Sequence, residues 1–342
     1  MNDRMLAKSD LSRWLAALAA EFRVVGAVSD GGAPPAWRKL EPGDTPVLDN
    51  LRWVMPPKEQ VLPGYEPLFT YCARKGEEEI TSAVPAEEPT LMFGLRPCDA
   101  RSFAVLDATY LDGRFSDPYY AARRAQMTTV AYVCESKRWS CFCSSVGDPV
   151  EWVKACDLAI TDAGEDAWIV TAFTGKGEKL LEAGGCMSAA TEAACASRDA
   201  IWEDLARANE HFDAQAVARA VDWEEPVWAE IAERCTGCGI CSYLCPTCTC
   251  FDIQDEECPG GAIERYRVRD SCQFCDFTKM GHGHNPRPGK KERTRQRLSH
   301  KFKYLPERSG MSGCVGCGRC IHLCPVNTDT RKIIAEVMGV HG

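Results

Sequence analysis

The sequence predicts a mixed fold of the α/β or α+β class in three parts. An α/β domain is expected over residues 1–187, a helical connector over 188–230 and a cysteine-rich domain with a long insertion over 231–342. Two observations support this division. Apolar runs alternate with helical stretches from Thr90 onwards, which is typical of an α/β domain. At Cys235 the composition changes abruptly to cysteine, glycine, proline and basic residues.

The N-terminal part and the connector contain several periodic segments. Apolar residues recur at helical spacing from Leu11 to Phe22, behind a capping segment at Ser9–Ser12. Residues 32–87 are rich in proline and glycine and predict loops and short strands. Strands are predicted at Thr90–Leu95, Thr128–Val133 and Ala167–Phe173, and helices at Asp99–Tyr110 and Thr330–Val337. The apolar faces of the helical connector are formed by Trp202, Leu205, Val217, Val221, Val227 and Ile231.

The composition limits the class of protein. The 342 residues are 45% hydrophobic and 26% charged, which is ordinary for globular domains. A net charge of -9 disfavours binding to nucleic acid. The N-terminus lacks the features of a secretory signal, and no apolar run approaches the roughly 18 residues of a spanning helix. We therefore expect a cytoplasmic protein with no membrane span and no nucleic-acid partner.

The 21 cysteines are the largest departure from average usage. Disulfides rarely persist in a reducing cytosol, and a secreted scaffold with this many cysteines would be short. The thiols are therefore expected to be metal ligands or free.

The strongest signal is a four-cysteine spacing that occurs twice, each time followed by a proline. Both copies read C-x2-C-x2-C-x3-C-P, the spacing of two-cluster bacterial ferredoxins, in which the fourth cysteine ligates the other [4Fe–4S] cluster. The prediction is a bacterial-ferredoxin-like dicluster domain. Cluster 1 would be bound by Cys235, Cys238, Cys241 and Cys324. Cluster 2 would be bound by Cys314, Cys317, Cys320 and Cys245.

Glycines inside both motifs suit this chemistry. Gly237, Gly239, Gly316 and Gly318 allow a tight turn and expose backbone N–H groups toward the cluster sulfurs. Zinc is the alternative metal, but zinc sites usually pair two C-x2-C hooks without a trailing proline.

The two motifs are separated by a long insertion, Thr247–Gly313. It carries four further cysteines that could act as extra metal ligands: Cys248, Cys250, Cys272 and Cys275. The alternative is that they fill a dry shell around the clusters and tune their potentials. Residues 287–303 add eight Lys or Arg against one Glu. This basic run predicts either a solvated helix face or a docking surface for an acidic partner subunit.

Four cysteines of the N-terminal domain form a further candidate site: Cys98, Cys134, Cys141 and Cys143. Cys98 and Cys134 each follow a predicted strand, so they are expected at one edge of the sheet. Cys98 also begins a helix, where a thiol is more readily ionised. A third [4Fe–4S] cluster is the hypothesis; free or zinc-bound thiols remain the alternative, because C-x-C is not ferredoxin spacing. The remaining cysteines predicted as buried free thiols are Cys72, Cys156, Cys186 and Cys195.

Several motifs together resemble the beta subunit of cytosolic NiFe sulfhydrogenases and the corresponding iron–sulfur subunit of anaerobic sulfite reductase. The resemblance runs from about Thr90 to Ile334. Its motifs are Gly94-Leu95-Arg96-Pro97-Cys98-Asp99, Cys141-Phe142-Cys143, Cys245-Pro246-Thr247-Cys248, Gly283-His284-Asn285-Pro286-Arg287-Pro288 and Cys314-Val315-Gly316-Cys317-Gly318-Arg319-Cys320.

The resemblance implies an iron–sulfur protein that relays electrons from an FAD-containing, NAD(P)H-oxidising subunit to a catalytic module. That module would be a NiFe hydrogenase, a sulfite reductase or a heterodisulfide-reductase-like complex. No G-x-G-x-x-G follows a strand, so no flavin or NAD(P) site is expected in the chain itself. The alternative is a reductase subunit that binds a sulfur substrate at the N-terminal cysteines. An open coordination position or a pocket at Cys98 would favour that alternative, and four filled thiolate positions would remove it.

Overall fold

The computed structural model describes residues 2–48, 55–74, 77–111, 115–162, 164, 166–207, 211–222 and 226–339. The strands are β1 (Asn2–Ala7), β2 (Arg23–Val28), β3 (Ala36–Lys39), β4 (Tyr65–Arg74), β5 (Glu77–Ser82), β6 (Thr90–Leu95), β7 (Met127–Tyr132), β8 (Leu158–Asp162), β9 (Ala167–Ala172), β10 (Met187–Ala189), β11 (Phe251–Glu257) and β12 (Ile263–Arg269). No helix among the described residues is long and apolar enough to cross a membrane.

The α-helices of the described residues are distributed over the whole chain. They are α1 (Leu11–Leu18), α2 (Pro97–Tyr110), α3 (Pro118–Ala125), α4 (Pro149–Lys154), α5 (Gly175–Glu182), α6 (Glu192–Arg207), α7 (Ala214–Ala220), α8 (Val227–Glu233), α9 (Ile240–Tyr243), α10 (Lys290–Ser299), α11 (Leu305–Ser309), α12 (Arg319–His322) and α13 (Thr330–Val337). The predicted helix near residue 11 is present, but the Asp10 side chain makes no capping hydrogen bond to it.

Eight strands form one mixed sheet in the order β10-β1-β9-β8-β7-β6-β2-β3. The four strands β2, β6, β7 and β8 are parallel. Strand β6 explains why: its apolar run is buried on both faces, with Leu91 and Phe93 in one core and Met92 and Leu95 in the other. The mixed α/β fold is therefore confirmed, and β6 has the predicted bounds.

A second sheet of four strands, β11-β12-β4-β5, joins distant parts of the sequence. Strand β12 of the insertion pairs antiparallel with β4, and Ile263 lies opposite Tyr71. The insertion is therefore partly a hairpin that completes a sheet begun near residue 65. Residues 188–230 contain helices, as predicted, and Val217, Val221, Trp228 and Ile231 pack against Phe302 in a core shared with the C-terminal part.

Candidate iron–sulfur sites

The first cysteine motif forms a tight loop that ends in α9. Gly237 and Gly239 have φ values of 73° and 78°, which only glycine adopts without strain. The N–H of Gly237 donates a hydrogen bond to the Cys235 Sγ at 3.3 Å. The backbone is therefore wound around the space where the thiols converge.

The second motif repeats this geometry and ends in α12. Gly316 and Gly318 have φ values of 60° and 73°. The N–H of Gly316 donates to the Cys314 Sγ at 3.4 Å, and the N–H of Thr328 donates to the Cys324 Sγ at 3.2 Å. The predicted role of the glycines, to turn the chain and present N–H groups to sulfur, agrees with this geometry.

The ligands predicted for cluster 1 surround one cavity, which we name site 1. Its lining includes Cys235, Cys238, Cys241 and Cys324, together with Cys320. Burial raises the pKa of the Cys241 thiol to about 11. Cys238 is exposed, whereas the other three predicted ligands are partly buried. Site 1 therefore combines four thiols from both motifs and has one ligand at the protein surface.

The ligands predicted for cluster 2 also lie together, at what we name site 2. Burial, with nearby thiols adding to it, raises the pKa of Cys314 to about 12 and that of Cys317 to about 11. Cys245 and Cys320 are among the thiols that raise both values, so the four side chains are neighbours. A hydrogen bond from the Cys248 thiol holds the pKa of Cys245 well below its usual range.

The four N-terminal cysteines line a cavity at the C-terminal ends of β6 and β7, which we name site 3. Cys98, Cys134, Cys141 and Cys143 contribute to it, with Gly316 and Cys317 of the second motif closing one side. Burial raises the pKa of Cys134 to about 12 and that of Cys143 to about 11. The structure thus brings together the four residues that the sequence places at one sheet edge.

The expected acidity of Cys98 is wrong. Burial raises the pKa of this thiol well above its usual value, and the adjacent Asp99 carboxylate raises it further. The start of α2 cannot offset these effects, because the side chain is only 9% exposed. Among the thiols predicted to be buried and free, Cys156 is buried, whereas Cys72, Cys186 and Cys195 are partly exposed.

Residues of site 2 border both of the other sites. Cys320, a predicted ligand of site 2, also lines the cavity of site 1. Cys317, another predicted ligand of site 2, lines the cavity of site 3. One loop, residues 314–320, therefore borders all three groups of thiols.

The four candidate ligands of the insertion, Cys248, Cys250, Cys272 and Cys275, do not form one group. The Cys248 thiol hydrogen-bonds to Cys245, and the Cys272 thiol hydrogen-bonds to Cys250. Cys275 is exposed in an open groove. Within the described ranges no three or more His, Cys, Asp or Glu side chains are arranged to hold a metal ion. That finding concerns single metal ions. In a [4Fe–4S] cluster each iron has its own thiolate, so the four ligands lie further apart than the ligands of one ion.

Four of the eight basic residues of this run are buried, so the run is not a fully solvated face, and a docking role for the others stays a prediction. Its four buried members, Arg293, Arg295, Arg297 and Lys301, are each at most 8% exposed. The Arg297 guanidinium donates to the Cys241 carbonyl at 3.3 Å. Nearby thiols, Cys245 first among them, raise the pKa of Lys301, although burial opposes this. The run therefore brings positive charge to the cysteine sites.

Two other charged residues were missed by sequence reasoning. Lys58 is fully buried and its Nζ donates to the carbonyl oxygens of Cys245 at 2.6 Å and Cys248 at 2.9 Å. Arg319 is fully buried and makes two hydrogen bonds to Asp99, at 2.7 and 2.8 Å. The position of Arg319 within a cysteine motif could have indicated its role. Lys58 lies in a proline-rich stretch that gives no such indication.

The donor set fits [4Fe–4S] clusters: groups of four soft thiols, backbone N–H groups directed at sulfur, and buried cations beside them.

A family model described as a 4Fe-4S dicluster domain matches residues 234–328. The chain is also 30% identical over 294 residues to the Sulfhydrogenase 2 subunit beta of Pyrococcus furiosus, covering 85% of each chain. The chain belongs to the sulfhydrogenase beta-subunit family. No solved structure matches it. As a family member, it is an iron–sulfur subunit of the sulfhydrogenase type.

Proposed function

We propose that the chain relays electrons through a row of three [4Fe–4S] clusters at sites 1, 2 and 3. The observation that carries this proposal is the position of the loop 314–320, whose Cys317 and Cys320 each border a neighbouring site. Each bound cluster would accept and release one electron. The protein would hold the clusters close together, with Cys98 of site 3 buried and Cys238 exposed beside site 1.

The partners follow from the family. We propose that one end of the row receives electrons from a partner protein that binds FAD and NAD(P)H, and that the other end serves a catalytic module. The relative from Pyrococcus furiosus is named as a sulfhydrogenase subunit, which favours a hydrogenase as that module. A cytoplasmic location and the absence of a flavin site in this chain stay predictions.

Counting iron tests the third cluster. Anaerobically purified protein is expected to contain about 12 iron and 12 sulfide per chain, and a C134S variant about 8. The matched control is C195S, which replaces a partly exposed thiol outside the three sites and should retain about 12. About 8 iron in the unmodified protein, with no loss in C134S, would remove site 3 from the proposal.

A sulfur-reducing site at the N-terminal cysteines is the competing function. It needs substrate access to a ligand of site 3. The cavity at Cys98 favours this alternative, whereas the burial of the Cys98 side chain supports electron transfer. Paramagnetic resonance would distinguish the two, because added sulfide or polysulfide should leave the signal of site 3 unchanged if its cluster has four thiolate ligands.

A further inference from the structure

Two fully buried ammonium groups lie beside site 2. Lys58 is 0% exposed and donates to the carbonyl oxygens of Cys245 and Cys248. Lys301 is 3% exposed and its Nζ donates to the Thr247 Oγ1 at 2.8 Å and to the Gly313 carbonyl at 3.2 Å. The two lysines are 243 residues apart in the sequence, but both contact the turn that follows Cys245.

Neither ammonium forms an ion pair with a carboxylate of the described part of the chain: all their hydrogen-bond acceptors are neutral oxygens. Removing an unpaired ammonium from water costs several kcal/mol, so buried charges are normally paired. Arg319 shows the usual solution, because Asp99 neutralises it. Lys58 and Lys301 therefore need another source of negative charge.

The thiols of site 2 supply that charge. As a deprotonated cluster ligand, Cys245 attracts both lysines and Cys314 also attracts Lys301, although burial lowers the pKa of Lys58 to about 8. Thr247 links Lys301 to Cys245: its Oγ1 accepts a hydrogen bond from the Lys301 Nζ and lies 3.2 Å from the Cys245 Sγ. Four thiolates around a [4Fe–4S] core carry a net negative charge, which grows by one when the core accepts an electron.

We propose that Lys58 and Lys301 raise the reduction potential of the cluster at site 2. This inference rests on the proposed function and deepens it. Two fixed positive charges in a water-poor region stabilise the reduced form more than the oxidised form, because attraction increases with the charge of the centre. One electron is added and no bond is formed or broken. The cluster at site 2 is therefore easier to reduce than it would be without the two lysines.

Lys290 provides a matched control for this effect. Its Nζ also donates to the carbonyl oxygen of a cluster ligand, Cys235, at 2.8 Å, but the side chain is exposed to solvent. Water and salt screen exposed charges strongly. Removing the Lys290 charge should therefore change the potential of site 1 much less than removing a buried lysine changes that of site 2.

The test is a redox titration of the cluster-loaded protein with dithionite, followed by paramagnetic resonance. K58M and K301M are expected to shift one midpoint potential downward and leave the others in place. K58R keeps the charge, so its midpoint potential should stay close to that of the unmodified protein. K58Q can keep a hydrogen bond without the charge, so it should behave like K58M even if K58M folds poorly.

The proposal is overturned if K58Q and K301M leave every midpoint unchanged, or if K290M lowers a midpoint as much as they do. Iron and sulfide are counted for each variant before titration. Unmodified protein without clusters would contradict the proposed function. Loaded variants with unchanged midpoints would contradict only the role of the lysines.

Discussion

Arg319 connects site 2 to site 3 at the scale of a single side chain. It lies at the start of α12, between Cys317 and Cys320, and its guanidinium binds both carboxylate oxygens of Asp99 on α2. Cys98 precedes Asp99. The two-point ion pair, with side chains 1% and 0% exposed, therefore fixes the spacing between ligands of two different sites.

Removing the Arg319 charge is expected to be strongly destabilising. In R319M the Asp99 carboxylate stays buried without its partner, which should lower the free energy of unfolding by about 3–5 kcal/mol. The control is R207M, which breaks the exposed pair of Arg207 with Glu203 and should cost at most about 0.5 kcal/mol. Urea denaturation under anaerobic conditions measures both. A loss in R319M no larger than in R207M would contradict the structural role of the pair.

Pairs of this kind mark the limit of what could be predicted from the sequence. Arg319 is visible within its motif, but its partner lies 220 residues away. The cysteine ligand sets stay a prediction, which the sequence allows because the spacing within each motif is local. Lys58 could not, since a single lysine in a proline-rich stretch has no local signal of burial.

At the scale of elements, the loops of sites 2 and 3 pack backbone against backbone. A Cβ on Gly316 would lie 2.5 Å from the Cys143 Cα, and one on Gly318 would lie 2.5 Å from the Ser140 carbonyl oxygen. The Phe142 N–H donates to the Gly316 carbonyl at 2.8 Å. These glycines are required for loop contact as well as for their positive φ.

A pair of alanine variants separates these two requirements. Gly310 has a φ of 70° and nothing lies within 4 Å of the position that a Cβ would take there, so G310A should cost only the backbone strain, about 1–2 kcal/mol. In G316A the clash adds about 1–3 kcal/mol. We also expect G316A, but not G310A, to lose iron from site 3, measured by iron content and melting temperature. Equal losses in both variants would show that the contact is unimportant.

Elements were predicted well where a pattern is local and poorly where burial depends on distant parts of the chain. Strand β6 follows from its apolar run, and α13 from its periodicity. The basic run is predicted at the surface because its composition is hydrophilic, but α10 buries Arg293, Arg295 and Arg297, and Arg297 contacts Cys241. The pairing of β12 with β4 could not be foreseen, because register is set by tertiary contacts.

For the molecule as a whole, the buried and the exposed charged residues differ in their balance of sign. The chain has a net charge of -9, and the exposed strand β11 carries four carboxylates and no basic residue. Most of the buried charged residues are positive, and they include Lys58, Arg297 and Lys301. An acidic surface with a basic interior is favourable only if the interior also holds anions, and the sulfur ligands provide them.

This sorting predicts how cluster removal affects stability. Iron chelation should lower the melting temperature, and the difference between loaded protein and apoprotein should be smaller in K58M and K301M than in the unmodified chain. The reason is that each lysine loses its attraction to the cluster when the cluster leaves. Anaerobic thermal scans measure the difference. K290M should keep the full difference, and an unchanged difference in all three variants would contradict the coupling.

The four-stranded sheet has a consequence for the order of biosynthesis. Strand β4 leaves the ribosome early, but its partner β12 is made about 190 residues later, roughly 10–40 s at ordinary rates of translation. Lys58 is also synthesised early, but its hydrogen-bond acceptor at Cys245 is made much later. The predicted ligands of site 2 are also made late, at Cys245 and in the loop 314–320, so a cluster could enter that site only after most of the polypeptide has been synthesised.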